Sequence, residues 1–167
     1  MANAGKEFEN QFKASVPKDI YFLRLNDSAI GFGGGEGAKF AVKSPYDCIL
    51  YKNGIMCALE LKSKAINRLV YKSTGTVDIR EHQIKKLRAA SSYGIRAGFV
   101  FNFRKEAKTY FVSIAAFDYI TSFQMSEKKS ITLDDVEEAM KQNFDIVLIP
   151  QRLKKVNYAY DLSVLFS

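Results

Sequence analysis

Residues 47–62, DCILYKNGIMCALELK, decide the fold, because an otherwise apolar hairpin carries an Asp at one end and Glu-x-Lys at the other. Asn53-Gly54 is a strong signal for a two-residue type I′ turn. With that turn Lys52 faces Ile55, Leu50 faces Cys57, Cys48 faces Leu59 and Asp47 faces Glu60. Side chains alternate along a strand. One face therefore carries Cys48, Leu50, Cys57, Leu59 and Leu61 as an apolar core face, and the other carries Asp47, Glu60 and Lys62. Directly opposed residues hold their Cβ atoms about 4.5–5.5 Å apart. Two carboxylates at that range repel each other unless a cation lies between them. Mg²⁺ suits such a pair, being hard, oxygen-seeking and content with one or two carboxylates plus phosphate and water. Lys62 stands on the same face, placed to stabilise charge on a phosphate or to orient a water. The plainer reading makes Asp47 a loop end and Glu60-Lys62 a surface pair. The matched register inside a basic chain favours the phosphodiester site.

The 167 residues are 47% apolar, enough for one globular domain over 1–167. No apolar run is long enough for a membrane helix. The segment MANAGKEFENQF lacks the apolar core of a secretory signal. Two cysteines outside any disulfide-rich pattern fit a reducing, cytoplasmic setting. The net charge of +7 is unevenly spread. Residues 62–108 hold twelve Lys or Arg against three acids, whereas 130–145 hold five acids and one Lys. Clustered basic charge points to a polyanion, most simply nucleic acid; a merely solvated basic surface is the alternative.

Phe8, Phe12 and Val16 make a helical stripe that Pro17 ends, and 20–25 (IYFLRL) reads as a strand. GFGGGEGAKF, 31–40, is neither a P-loop nor a dinucleotide fingerprint and reads as a flexible loop near the DNA backbone. Residues 66–77 read as a mobile basic loop. A helix over 79–92 follows, opened by an Asp78/Glu81 capping pair, lined by Ile84, Leu87 and Ser91, and stopped by Gly94. Residues 97–103 and 109–114 form strands of a second hairpin, and 115–123 a short helix. Thr132 with Asp135 opens a helix to about 143, then 146–150 reads as a last strand before a basic tail, QRLKK. The pattern is α/β: a mixed β-sheet flanked by helices.

On these residues the chain resembles the PD-(D/E)xK nuclease superfamily. Pro45-Tyr46-Asp47 is a loose form of its first motif and Glu60-Leu61-Lys62 a full match to its second. Within it the chain is similar to the RecU-type Holliday junction resolvases of bacteria and phages. Gly5-Lys6-Glu7-Phe8-Glu9, the spacing from Asp47 to Glu60, and Glu81-His82-Gln83-Ile84 carry that likeness, which spans about residues 5–123. It implies a restriction-endonuclease-like core and a homodimer that cuts a four-way DNA junction with Mg²⁺ or Mn²⁺. It also implies Asp47 and Glu60 as metal ligands, Lys62 as catalytic lysine, Glu9 reaching the site from the first helix, and Gln83 supporting Lys62 or the attacking water. Cys48-Ile49-Leu50 replaces the family's Gly-containing turn after the Asp, and no junction-engaging stalk is recognisable. The alternatives are another nuclease of the superfamily, acting on ends, flaps or specific sites, and a non-catalytic DNA-binding recombination protein.

Arg68, Lys72, Arg80, Lys85 and Arg88 are the candidate phosphate contacts. Tyr71 is the candidate for base stacking. His82 reads as a surface or packing residue rather than a general base. Cys48, Cys57 and His82 lack the spacing of a zinc site.

Overall fold

In the computed structural model of this chain, residues 3–25, 28–29, 41–42, 44–123 and 128–167 are described. Strands β4 (Cys48–Lys52) and β5 (Ile55–Lys64) form the hairpin that Asn53-Gly54 dictates, with both turn residues at positive φ, 49° and 83°. Cys48 pairs with Leu59, Leu50 with Cys57 and Lys52 with Ile55, the register expected from the turn. Helix α1 (Ala4–Ala14) comes first, then strand β1 (Tyr21–Arg24), which adds to β4 as an antiparallel edge. A two-residue pair, β2 (Ser28–Ala29) and β3 (Ala41–Val42), lies between them in sequence. The Gly-rich stretch 31–40 is outside the described residues.

After β5 come β6 (Arg68–Val70), α2 (Glu81–Ser92), β7 (Arg96–Phe103), β8 (Lys108–Ser113), α3 (Ile114–Phe123), β9 (Ser130–Thr132), α4 (Leu133–Lys141) and β10 (Ile146–Leu148). A last hairpin, β11 (Gln151–Lys154) and β12 (Asn157–Tyr160), precedes a 3₁₀ turn, Leu162–Phe166. The main sheet has six strands in the order β1-β4-β5-β7-β8-β10. All its neighbours are antiparallel except β5 and β7, which run parallel from Cys57↔Arg96 to Lys64↔Phe103. A parallel pair needs a crossover, and α2 supplies it. The chain is thus α/β, a mixed sheet flanked by helices, as its pattern implies.

Both faces of the sheet are buried. On one, Phe8 and Phe12 of α1 meet Cys48, Leu50, Cys57, Leu59, Val100 and Phe111. On the other, α2, α3 and α4 cover Ala58, Phe99, Phe101, Phe103 and Val112. The acid-bearing face of the hairpin is therefore not the solvent side. Ala58, two residues before Glu60, is fully buried under helices. Two strands alone do not reveal this, because a hairpin that reads as one-sided becomes two-sided when β7 and the crossover helix join it.

Four local expectations need correction. Residues 66–77 are not a loop throughout: β6 pairs with β9, and Leu69 is buried beneath it. That strand partner lies sixty residues away, beyond local pattern reading. The cap of α2 is not Asp78/Glu81. Gln83 Oε1 accepts the Arg80 N–H at 2.9 Å, while Asp78 accepts the Val70 N–H at 2.8 Å and pairs with Lys64. The inner stripe of α2 is Ile84, Leu87 and Ala90; Ser91 is exposed. The basic tail is the β11–β12 hairpin, docked on α1 through a Phe8–Tyr160 edge-to-face contact at 5.4 Å. Thr132 and Asp135 do form the reciprocal cap of α4. No helix of the described residues is long and apolar enough to cross a membrane.

Candidate active site

The Asp47 and Glu60 carboxyls meet where β4 and β5 emerge from between the two helical layers. Asp47 stands just before β4, and the regular ladder ends at Cys48↔Leu59: the Asp47 N–H donates to Leu59 O at 3.0 Å, one residue off the expected Asp47–Glu60 pairing, because two successive residues of one strand face the single Leu59 of the other. Its Oδ2 accepts the Leu61 N–H at 2.7 Å, which holds the carboxyl over β5. Glu60 is only 4% exposed. Its Oε1 accepts from Gln83 Nε2 and lies 3.0 Å from Lys62 Nζ. Gln83 is in the first turn of α2, so one helix start both caps itself and orients a strand carboxylate. The resemblance implied support of Lys62 or water by Gln83; the observed contact is to Glu60.

These groups open into a cleft of about 300 Å³ whose walls include Glu9, Arg24, Tyr46, Asp47, Glu60 and Arg80, with His82 and Gln83 beside them. Glu9 enters from α1 and is held by Arg24 of β1 at 2.5 Å. The structure therefore gathers Glu9, Asp47, Glu60, Lys62 and Gln83 in one place. Pattern reading missed Arg24, Tyr46 and the position of His82. Arg24 gives no local signal, since an Arg in an edge strand is ordinary. His82, on the surface of α2, lines the cleft wall.

Burial pushes both carboxyls up. Asp47 is pushed up to about 7, first by loss of water and then by the nearby Glu60 charge, against the pull of the Leu61 N–H and Lys62. Glu60 is raised by burial more than Lys62 and Gln83 lower it. Two oxygen acids in one cleft, each reluctant to ionise alone, are the donor set a hard divalent cation satisfies. Among the described residues no three His, Cys, Asp or Glu side chains converge as a metal cluster. Asp47 and Glu60 line one cleft together with Glu9.

A pH effect follows. In an unfolded chain Asp47 has an ordinary carboxyl pKa of about 3.9. Its folded value is higher, so the folded state binds more protons between those two values, and stability falls as pH rises through them. Glu60 acts in the same direction. Melting in EDTA is expected to show a lower Tm at pH 8 than at pH 5, with most of the slope removed in Asp47→Asn. A slope unchanged by that substitution would show that Asp47 titrates normally.

The phosphate-contact candidates scatter. Arg80 lines the cleft. Arg68 and Lys72 are exposed on and beyond β6. Lys85 pairs with Glu81, and Arg88 grips Asp118 through Nε and Nη2 at 2.6–3.2 Å. Arg88 is thereby tied to α3. Tyr71 is not presented for stacking: its ring meets Phe117 at 5.9 Å and its hydroxyl donates to Lys128 O. Cys48 and Cys57 are free, buried thiols in the α1-side core, and burial raises both.

Comparison with known proteins settles the family. The family model for Recombination protein U, RecU, matches residues 12–158. The chain belongs to the RecU family of Holliday junction resolvases. The match runs past 123 into the last hairpin, beyond the likeness legible in the motifs. The chain is also 33% identical to the SPbeta prophage-derived uncharacterized protein YotM of Bacillus subtilis (strain 168), over 98% of this chain and 85% of that protein. Among solved structures it is similar to Hjc, a Holliday junction resolvase of Archaeoglobus fulgidus, at 16% identity and a TM-score of 0.42, covering 70% of this chain and 78% of that one. RecU membership makes the chain a nuclease that acts in DNA recombination and repair, and Asp47 and Glu60 share the cleft just described.

Proposed function

We propose that this RecU protein works as a homodimer and resolves four-way DNA junctions by paired, symmetric phosphodiester hydrolysis. Asp47 and Glu60 hold Mg²⁺ or Mn²⁺. The carrying observation is the pair of buried carboxyls with raised pKa, set beside the Lys62 ammonium in an open cleft. When bound, the cation supplies charge neutralisation and polarises the scissile phosphate. The protein's own groups do the rest. Gln83 holds Glu60 in place. Lys62 donates toward a phosphoryl oxygen, where negative charge grows as the attacking water adds. Arg24 restrains Glu9 at the cleft wall, and Arg80 and Arg68 meet flanking phosphates. The chain acts as one nuclease domain over 1–167, because Tyr160, Leu162 and Leu165 complete the core begun by Phe8 and Phe12. Its place of action is the cytoplasm of a bacterial or phage-infected cell.

A labelled four-way junction, a matched linear duplex and a flap, each incubated with Mg²⁺, Mn²⁺ or EDTA beside Glu60→Gln, test this. Expected are paired symmetric nicks in the junction alone, absent with EDTA and in the variant. Cleavage indifferent to branching would replace the resolvase reading by a general nuclease. Tight junction binding without cuts in any metal would leave a DNA-binding role only.

A further inference from the structure

The β11–β12 hairpin is fastened at its base and bare at its tip. Gln151 Oε1 accepts from Thr109 Oγ1 at 2.5 Å, Tyr160 N–H donates to Ser15 Oγ at 3.0 Å, and Tyr158 N–H donates to Gln11 Oε1 at 3.3 Å. Thr109 in turn accepts from Asn102, itself bonded to Ser63, so a buried polar chain ties the hairpin to β5, β7 and β8. Beyond this base stand Arg152, Lys154 and Lys155, with no acid between residues 151 and 160; Asp161, which follows the hairpin and lines one surface pocket with Arg152 and Lys154, accepts from Ser163 instead. Some described cations elsewhere hold carboxylates, as Lys52 holds Asp19 and Lys141 holds Glu138, and others, such as Arg68, Lys72 and Arg104, make no ion pair among the described residues. Among the described residues Arg152, Lys154 and Lys155 hold none either.

The tip is also poor turn chemistry for stability alone. Lys155 sits at φ +52°, a conformation Gly or Asn takes more easily, and Val156 beside it is 82% exposed. Leu153 is 60% exposed on the same strand as the cations. Exposed cations on a projecting hairpin suit a sugar-phosphate backbone. The position suits it too. Glu9 leaves one flank of α1 for the catalytic cleft, while Gln11 on the other flank meets Asn157 and Tyr158 of the hairpin. One helix, about 10–12 Å across with its side chains, separates the two features. The cleft and the hairpin thus flank the same helix.

We propose that the β11–β12 hairpin is a second backbone grip that holds a duplex arm of the substrate through Arg152, Lys154 and Lys155. The proposal rests on the reading of the cleft as a DNA nuclease site. Phosphate contacts of this kind set affinity without reading sequence.

The test is fluorescence anisotropy of a labelled junction and a labelled linear duplex in EDTA over a salt series, comparing the native protein with R152Q/K154Q/K155Q. Removing one cation from a phosphate lowers the slope of log K against log salt by about 0.9, so the slope should fall by about 2.7. Kd should rise at least ~10-fold, while Tm and the cleavage rate at saturating DNA stay unchanged. Neutralising Lys52 and Lys141 instead should leave Kd within about twofold, since both already hold acids. Unchanged slope and Kd in the triple variant would overturn the grip, and so would an equal loss in the Lys52/Lys141 control. A native protein that binds duplex but ignores branching would sink the junction reading and leave the grip to be judged on duplex alone. One that binds no DNA would overturn both.

Discussion

Lys62→Met should lower the single-turnover rate of junction cleavage by about 10²–10³, equivalent to about 2.7–4 kcal/mol, the usual cost of removing one preorganised donor at a charge-developing oxygen. Met keeps most of the apolar stem and removes only the ammonium. In the resting site that ammonium lies 3.0 Å from Glu60 Oε1, and the Lys62 side chain is 17% exposed, so its charge acts where water screens poorly. Removing it has a second effect. Glu60 loses the neighbour that most opposes its burial, so its carboxyl moves further up and takes a proton more readily. The two effects separate by pH. Loss of donation lowers the rate at every pH, whereas a protonated Glu60 is restored by alkali. The expected profile therefore shows a rate deficit that narrows as pH rises but does not close. Junction affinity in EDTA should stay within about threefold, since one cation facing a carboxylate inside a cleft contributes little to backbone attraction. A rate within tenfold of the native protein across that range would remove Lys62 from the chemistry and leave it as the partner of Glu60.

Gly98→Ala should destabilise the fold by about 3 kcal/mol or more, near the top of the range for overpacking a dense core. For a chain of this size that is a fall in Tm of about 10 °C. Gly98 lies on β7, directly across from Ser113 of β8. A Cβ there would sit 2.3 Å from Val112 O, 2.8 Å from Phe111 Cε2 and 2.9 Å from Ser113 Cα. Two of those atoms are backbone, and β8 cannot retreat: β10 pairs along its other edge and Ser113 N–H donates to Asp145 O at 3.0 Å. Phe111 is fully buried, so its ring has no free rotamer to adopt. Strand β7 also runs beside Glu60 and Lys62 through the Glu60↔Phe99 and Lys62↔Phe101 pairs. A shift there would loosen the site as well as the core. The check is a thermal melt, with Ala97→Gly on the same strand as the comparison, since that change removes volume instead of adding it. A Gly98→Ala melt within 2–3 °C of native would mean that the sheet has more play than its packing indicates.

Much of the site was legible because its decisive geometry is local. The Asn53-Gly54 turn specifies the register of β4 on β5 as far as Cys48↔Leu59, which leaves Asp47 one step beyond the ladder, where the Leu61 N–H holds its carboxyl over β5. The strands at 97–103 and 109–114, the Thr132/Asp135 cap and the stop at Gly94 were readable for the same reason. Gln83 and Glu9 were named from family likeness, not from local physics. Their place in the cleft depends on how α2 and α1 pack, which no nearby residue controls.

The sequence by itself determined the short-range pairings: where strands turn, which carboxylates share a hairpin, and where helices start and stop. Only the tertiary structure decided what those pieces face. It placed β7 parallel to β5, burying the acid-bearing side of the hairpin and raising both carboxyls. It paired β6 with β9 across sixty residues, tied Arg88 to Asp118, turned Tyr71 inward, and brought Arg24 to Glu9. It also folded the basic tail into a hairpin beside α1. The physical reason is distance along the chain. Turn and cap energies act over two to five residues, whereas burial, and with it the charge state of a carboxyl, depends on which remote segments exclude water from it.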